Sequence, residues 1–132
     1  MGTPESNFWK IVRKNLPKNS FATRIESRIA SGVPDCHIVW EGLSFWLELK
    51  TTKNNSIRIT PNQIAWNIAY CSRGGFSFYL VKGTRQGFIY LFRGDQGSCL
   101  LDEGLRLCDF IYKGKSIDEM FMALRLCDFV KK

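Results

Sequence analysis

At 132 residues and 45% hydrophobic, with four Trp and ten Phe, the chain has material for one domain with a buried core, which excludes a disordered arm. A formal net charge of +7 and a pI near 9.3 point to a polyanionic partner, nucleic acid first, because neutralising phosphates releases condensed counterions. A single histidine, His37, and five cysteines without C-x-x-C spacing exclude zinc-finger, polyhistidine-metal and Ser-His-Asp chemistries.

Thr3-Pro4-Glu5 has the form of a helix start, with Thr3 as cap and Pro4 at the first helical position. Phe8, Trp9, Val12 and Leu16 follow at helical spacing, while Lys10, Arg13 and Lys14 take the outer face. Glu5 falls on the apolar side, where it either complements the helix dipole or points inward to a site. Phe21 to Ile29 reads as a strand in which Arg24, Glu26 and Arg28 share a face. That face is either an ion-pair row or a place from which Glu26 reaches a site.

Cys36 to Trp40 and Ser44 to Lys50 read as two further strands, joined by a tight turn at Glu41-Gly42-Leu43. In the antiparallel hairpin they form, paired residue numbers sum to a constant, so Asp35 falls opposite a residue between Glu48 and Lys50. Alternation sends Glu48 and Lys50 to one charged face, and Leu47 and Leu49 to the core. Two carboxylates this close need a shared proton or a cation between them. Hard oxygen ligands without a thiolate pair select Mg²⁺, with Mn²⁺ as a substitute. Lys50 beside them would orient or help deprotonate a water, and the set reads as hydrolytic phosphoryl transfer. A Glu-x-Lys triplet alone is an ordinary strand face. Pro34-Asp35 at hairpin spacing makes it a candidate site. His37 alternates onto the side of Asp35 and is assigned a hydrogen-bonded structural role.

Thr60-Pro61-Asn62-Gln63 opens a second helix, with Gln63 at the capping-box position and Gly74-Gly75 at the end. Gln63 either caps the helix or reaches a phosphate or metal-bound water, two roles not easily held at once. Phe76 to Lys82 and Gly87 to Arg93 are apolar strands, and Ser116 caps a last helix reaching about Val130. Leu-Arg-Leu-Cys-Asp-Phe occurs twice, at 105–110 and 124–129, too short for a solenoid repeat. The predicted order is α-β-β-β-α-β-β-α, a mixed α/β (α+β) sheet. Its core spans about 4–93, and the extension at 94–132 packs on the sheet or dimerises.

These residues resemble the PD-(D/E)XK nuclease superfamily, and within it the small stand-alone VRR-NUC and phage or bacterial resolvase-like members. The fragments that carry the resemblance are Pro4-Glu5, Arg24-Ile25-Glu26, Gly32-Val33-Pro34-Asp35, Trp46-Leu47-Glu48-Leu49-Lys50 and Thr60-Pro61-Asn62-Gln63, between about Glu5 and Val81. The resemblance implies a restriction-endonuclease-like core in which Asp35, Glu48 and the Leu49 main-chain carbonyl hold Mg²⁺. Lys50 would position the nucleophilic water, Gln63 would support substrate or water, and Glu5 or Glu26 would add an acidic ligand. It also implies a homodimer, as in the junction-resolving members.

The expected function is therefore a Mg²⁺-dependent DNA endonuclease, structure-selective in the manner of Holliday-junction resolvases. Arg13, Lys14, Arg24, Arg28, Lys53 and Arg58 would supply the basic DNA-binding surface. The alternatives are a sequence-directed or genome-defence endonuclease, and a basic DNA-binding module without catalysis. The absence of secretory or membrane-spanning runs and the odd cysteine count go with a reduced, cytoplasmic setting, in a bacterial or phage-infected cell.

Overall fold

Thr3 Oγ1 accepts the Ser6 amide and Pro4 needs no amide partner, so the chain enters its first helix, α1 (Pro4–Lys14), as the sequence predicts. In the computed structural model, which describes residues 2–25 and 32–127, α1 is followed by β1 (Ser20–Arg24), β2 (Cys36–Trp40), β3 (Leu43–Thr52) and α2 (Pro61–Ser72). Then come β4 (Ser77–Gly83), β5 (Ile89–Arg93), α3 (Gly97–Glu103), β6 (Tyr112–Gly114) and α4 (Ile117–Arg125). The predicted elements appear in the predicted order, and α3, β6 and short 3-10 turns at Gly94–Gln96 and Leu105–Leu107 are inserted before α4.

The six strands form one mixed sheet in the order β1-β2-β3-β4-β5-β6, antiparallel except for the parallel pair β3 and β4. A parallel pair cannot be joined by a hairpin, and α2 makes the crossover. In the β2–β3 hairpin, Cys36 faces Leu47 and Trp40 faces Leu43, so paired numbers sum to 83. The two-residue turn is Glu41-Gly42, both at positive φ (50° and 80°), as a type I′ turn requires.

Apolar clusters cover both faces of the sheet. On one, Leu47, Leu49, Phe78 and Leu80 pack with Phe8 and Val12 of α1 and with Ile117, Met120, Phe121 and Leu124 of α4. On the other, Tyr79, Val81 and Phe92 pack with Ile57, Ile59, Leu100 of α3 and Leu105. The face that carries Glu48 is thus not an open charged surface, as alternation alone implied. The α2 crossover and α3 roof it, and Glu48 is only 3% exposed.

Two boundaries differ from expectation. The first strand covers Ser20–Arg24, and the rest of its predicted span, including Glu26 and Arg28, lies outside the described residues. The last helix ends at Arg125, not near Val130: the Leu126 and Cys127 amides turn back onto Met122 and Leu124, and Leu126 is 62% exposed. The first Leu-Arg-Leu-Cys-Asp-Phe copy starts in a 3-10 turn, whereas the described part of the second, 124–127, closes α4. No described helix is long and apolar enough to cross a membrane.

Candidate functional site

Register places Asp35, one step beyond the end of β2, opposite Glu48. Gly32 makes the approach possible: at φ +90° it passes so close to α2 that a Cβ there would lie 2.4 Å from the Asn62 carbonyl oxygen. The Asp35 carbonyl then accepts the Ile25 amide at 2.6 Å, and its Oδ2 accepts the Leu49 amide at 2.8 Å. The amide and carbonyl of one strand residue leave on the same side of the strand, so the Leu49 carbonyl is directed towards the edge where Asp35 sits.

Gln63 ties the other half together. Its Nε2 donates to Glu48 Oε2 at 3.1 Å, and its Oε1 accepts from Lys50 Nζ at 2.9 Å and from the Thr60 amide at 3.0 Å. The capping box is complete, with the Gln63 amide on Thr60 Oγ1. An amide has two ends and its oxygen two lone pairs, so Gln63 completes the cap and at the same time bonds Glu48 and Lys50. Lys50 Nζ lies 3.6 Å from Glu48 Oε2 and is itself 14% exposed.

The carboxyl pair is strained electrostatically. Burial, then the neighbouring Asp35 charge, pushes Glu48 up to about 8, with Lys50 opposing. Burial also raises Asp35, against the pull of the Leu49 amide, Lys50 and Arg24. Glu48 Oε1 is buried and, with both carboxylates ionised, meets no donor. A proton shared with Asp35 or a cation satisfies it.

That orphaned oxygen, two close carboxyl groups and a main-chain carbonyl suit a hard divalent cation with oxygen ligands. Among the described residues no three His, Cys, Asp or Glu side chains converge to hold a metal ion. Glu5 borders the same cleft, of about 660 Å³, but its Oε2 accepts the Thr51 hydroxyl at 2.5 Å. Thr51 alternates with Glu48 along β3, so Glu5 enters from the α1 face and Glu48 from the α2 face. Glu26, the other expected acid, lies outside the described residues.

The expected DNA-binding cations divide into groups. Lys53 and Arg58 line the cleft. Arg24 is half-buried, sits over the Trp9 ring at 5.7 Å and acts on Asp35. Arg13 and Lys14 are exposed in the last turn of α1, about 12 Å along the helix from Glu5. Arg28 lies outside the described residues. His37 accepts the structural role expected of it, with Nε2 2.8 Å from Ser44 Oγ and its ring 4.8 Å from that of Trp46.

Sequence reasoning missed Asn67 and Tyr79. Tyr79 pairs with Glu48 in the parallel ladder, and Asn67, fully buried, donates to the Gln63 carbonyl at 2.8 Å and to Tyr79 Oη at 3.3 Å. The available signal was an Asn four residues after Gln63, on the same helix face.

Comparison with known proteins adds evidence about the fold. No protein-family model matches the chain, and no curated protein matches it in sequence. Among solved structures, the chain is similar to Archaeoglobus fulgidus Hjc, a Holliday junction resolvase from an archaeal hyperthermophile. The TM-score is 0.55 at 12% identity, over 71% of this chain and 75% of that one. The two share a fold. Identity this low carries the architecture alone, and function has to be argued from the site.

Proposed function

We propose that the protein is a metal-dependent DNA endonuclease that hydrolyses phosphodiester bonds and selects branched DNA. The observation that carries the reading is the junction of Asp35 and Glu48 in the wall of a cleft that Lys53 and Arg58 also line, with Lys50 joined to Glu48 through one glutamine. Buried paired carboxylates cost stability, and in a cleft they mark a candidate site for chemistry on a phosphate. Fold likeness to a junction resolvase supports the same reading.

In this reading Asp35, Glu48 and the Leu49 carbonyl would hold Mg²⁺, or Mn²⁺ in its place, with Glu5 bordering the site. The bound cation supplies charge neutralisation at the phosphoryl oxygens and acidifies water. Lys50 binds the attacking water and places it for in-line displacement at phosphorus. Gln63 fixes the Lys50 ammonium and orients Glu48, while Lys53 and Arg58 hold the flanking phosphates. A homodimer would set two such sites on two strands.

The test is cleavage of a labelled four-way junction and of matched linear duplex in Mg²⁺, Mn²⁺ or EDTA by wild type and Asp35→Ala. Metal-dependent cuts confined to the junction and absent from the variant are expected. Equal cutting of linear DNA replaces branch selection with a sequence-directed or general nuclease. DNA binding without any cutting leaves only a binding module.

A further inference from the structure

Lys53 and Asn54 line two cavities. One is the carboxylate cleft, and the other is a pocket of about 180 Å³ walled also by Arg85, Phe88, Tyr90 and Arg106. Most of the second pocket's lining follows Val81, in the β4–β5 hairpin and at Leu105 and Arg106, outside the region that carries the sequence resemblance. It is firmly made: the Asn55 carbonyl accepts the Leu105 amide at 3.1 Å and Asn55 Oδ1 accepts the Arg106 amide at 3.0 Å. Arg106 is therefore fixed relative to the loop that carries Lys53.

Around this pocket cations and aromatic rings alternate. Lys113, on edge strand β6, sits 5.0 Å from the Phe88 ring centre and 5.5 Å from that of Tyr90, and Lys115 sits 5.0 Å from Phe88. Phe110 stands edge-on to Tyr90 at 6.2 Å and is 51% exposed. The ion pairs of the described residues involve Lys50, Arg93 and Arg125, and none involves Lys53, Arg85, Arg106, Lys113 or Lys115. Unpaired cations suit any phosphate backbone. An exposed ring among them, Phe110, adds something only if bases are unstacked and offer their faces, which paired duplex does not do.

We propose that this pocket captures an unpaired DNA strand next to the carboxylate cleft, so that the preferred substrate is a branch with a single-stranded arm. The consequence for cutting rests on the nuclease reading; strand capture itself does not. Lys53 and Asn54, shared by both cavities, are the point where the strand passes from one to the other. The phosphates meet Arg85, Arg106 and Lys113, and a base stacks on Phe110.

The test is fluorescence anisotropy in EDTA, where cutting plays no part. The probes are a fork with an oligo-dT arm, a blunt duplex of equal length and the same fork with an RNA arm. Wild type is expected to bind the DNA-armed fork at least tenfold tighter than the blunt duplex. The triple variant Arg85→Ala, Arg106→Ala, Lys113→Ala replaces exposed side chains and should fold, melting slightly below wild type because Lys113 leaves the Phe88 and Tyr90 rings. It should lose about 30-fold on the fork and no more than about twofold on the duplex, with the salt slope on the fork reduced by about 2. Phe110→Ala should lose about tenfold on the fork with its salt slope unchanged. Equal loss on fork and duplex, no loss on either, or wild-type indifference to the arm would overturn the proposal, and a preference for the RNA arm would overturn its assignment to DNA. Cleavage in Mg²⁺ is scored separately, so a protein that captures the arm and never cuts sinks the nuclease reading and leaves this one standing.

Discussion

Replacing Glu48 by Gln removes a buried charge while keeping the shape of the side chain and its contact with Gln63. In the metal-free folded protein Glu48 titrates at about 8 against an ordinary 4.5, held up first by burial and then by Asp35. A raised carboxyl contributes its full stability below the unfolded value, and loses it as pH rises through the folded one, because the unfolded chain gives up the proton first. Between about pH 5 and pH 8 that linkage amounts to roughly 3 kcal/mol for this one group. Urea unfolding in EDTA should therefore show wild type losing stability across this window relative to Glu48→Gln, with the variant the more stable by a few kcal/mol near pH 8. Mg²⁺ or Mn²⁺ should restore wild type and leave the variant nearly unmoved, since binding to the folded state stabilises by mass action. Parallel stability curves for the two proteins would refute the buried, charge-strained pair.

Gln63→Ala removes the bonds to Glu48, Lys50 and the Thr60 amide, and should lower cleavage about 10- to 100-fold while costing about 1–2 kcal/mol in denaturant unfolding. Thr60→Ala, losing only the cap, should cost about 1 kcal/mol and leave the cleavage rate nearly intact. Gly32→Ala meets the Asn62 backbone at a positive φ, so it should destabilise by about 2 kcal/mol or more and weaken cleavage, read by melting and by a single-turnover assay. Asn55→Ala abandons the bonds to Arg106 and Glu103 and should cost about 2 kcal/mol in the same unfolding assay.

The hairpin that makes the site was legible because its signals are local. Gly42 marked the turn, the apolar alternation of Ile38, Phe45 and Leu47 marked the strands, and hairpin pairing put Asp35 opposite a residue between Glu48 and Lys50, which the structure resolves as Glu48. What was not legible depends on partners distant in sequence. The burial of Glu48 follows from the parallel β3–β4 pair and its α2 crossover, and alternation within one strand does not reveal that its second face is roofed. Glu41 at φ 50° is an unusual residue for a type I′ turn, and its carboxylate is met by Arg125 from α4 at 3.0 Å. The helix α3 has no side-chain cap and β6 is three residues long, so neither offers a start signal or a period to read. The apolar run after Arg125 continued the helical pattern on paper, yet among the described residues Leu126 is left 62% exposed and gains little burial to hold it there. Gln63 was read as a choice because one residue was assigned one partner. Its three side-chain bonds became visible only when Thr60, Lys50 and Glu48 were brought together.

In the proposed site Asp35 and Glu48 jointly hold a divalent cation in the cleft. Titration of Mn²⁺ into wild type and Asp35→Asn, followed by the loss of the free-ion electron paramagnetic resonance signal, tests it without DNA. A saturable site is expected in wild type, weakening at least about 10-fold in Asp35→Asn and strengthening with pH as Glu48 gives up its proton. Equal Mn²⁺ affinity in the two proteins, or no saturable binding in wild type, would contradict it.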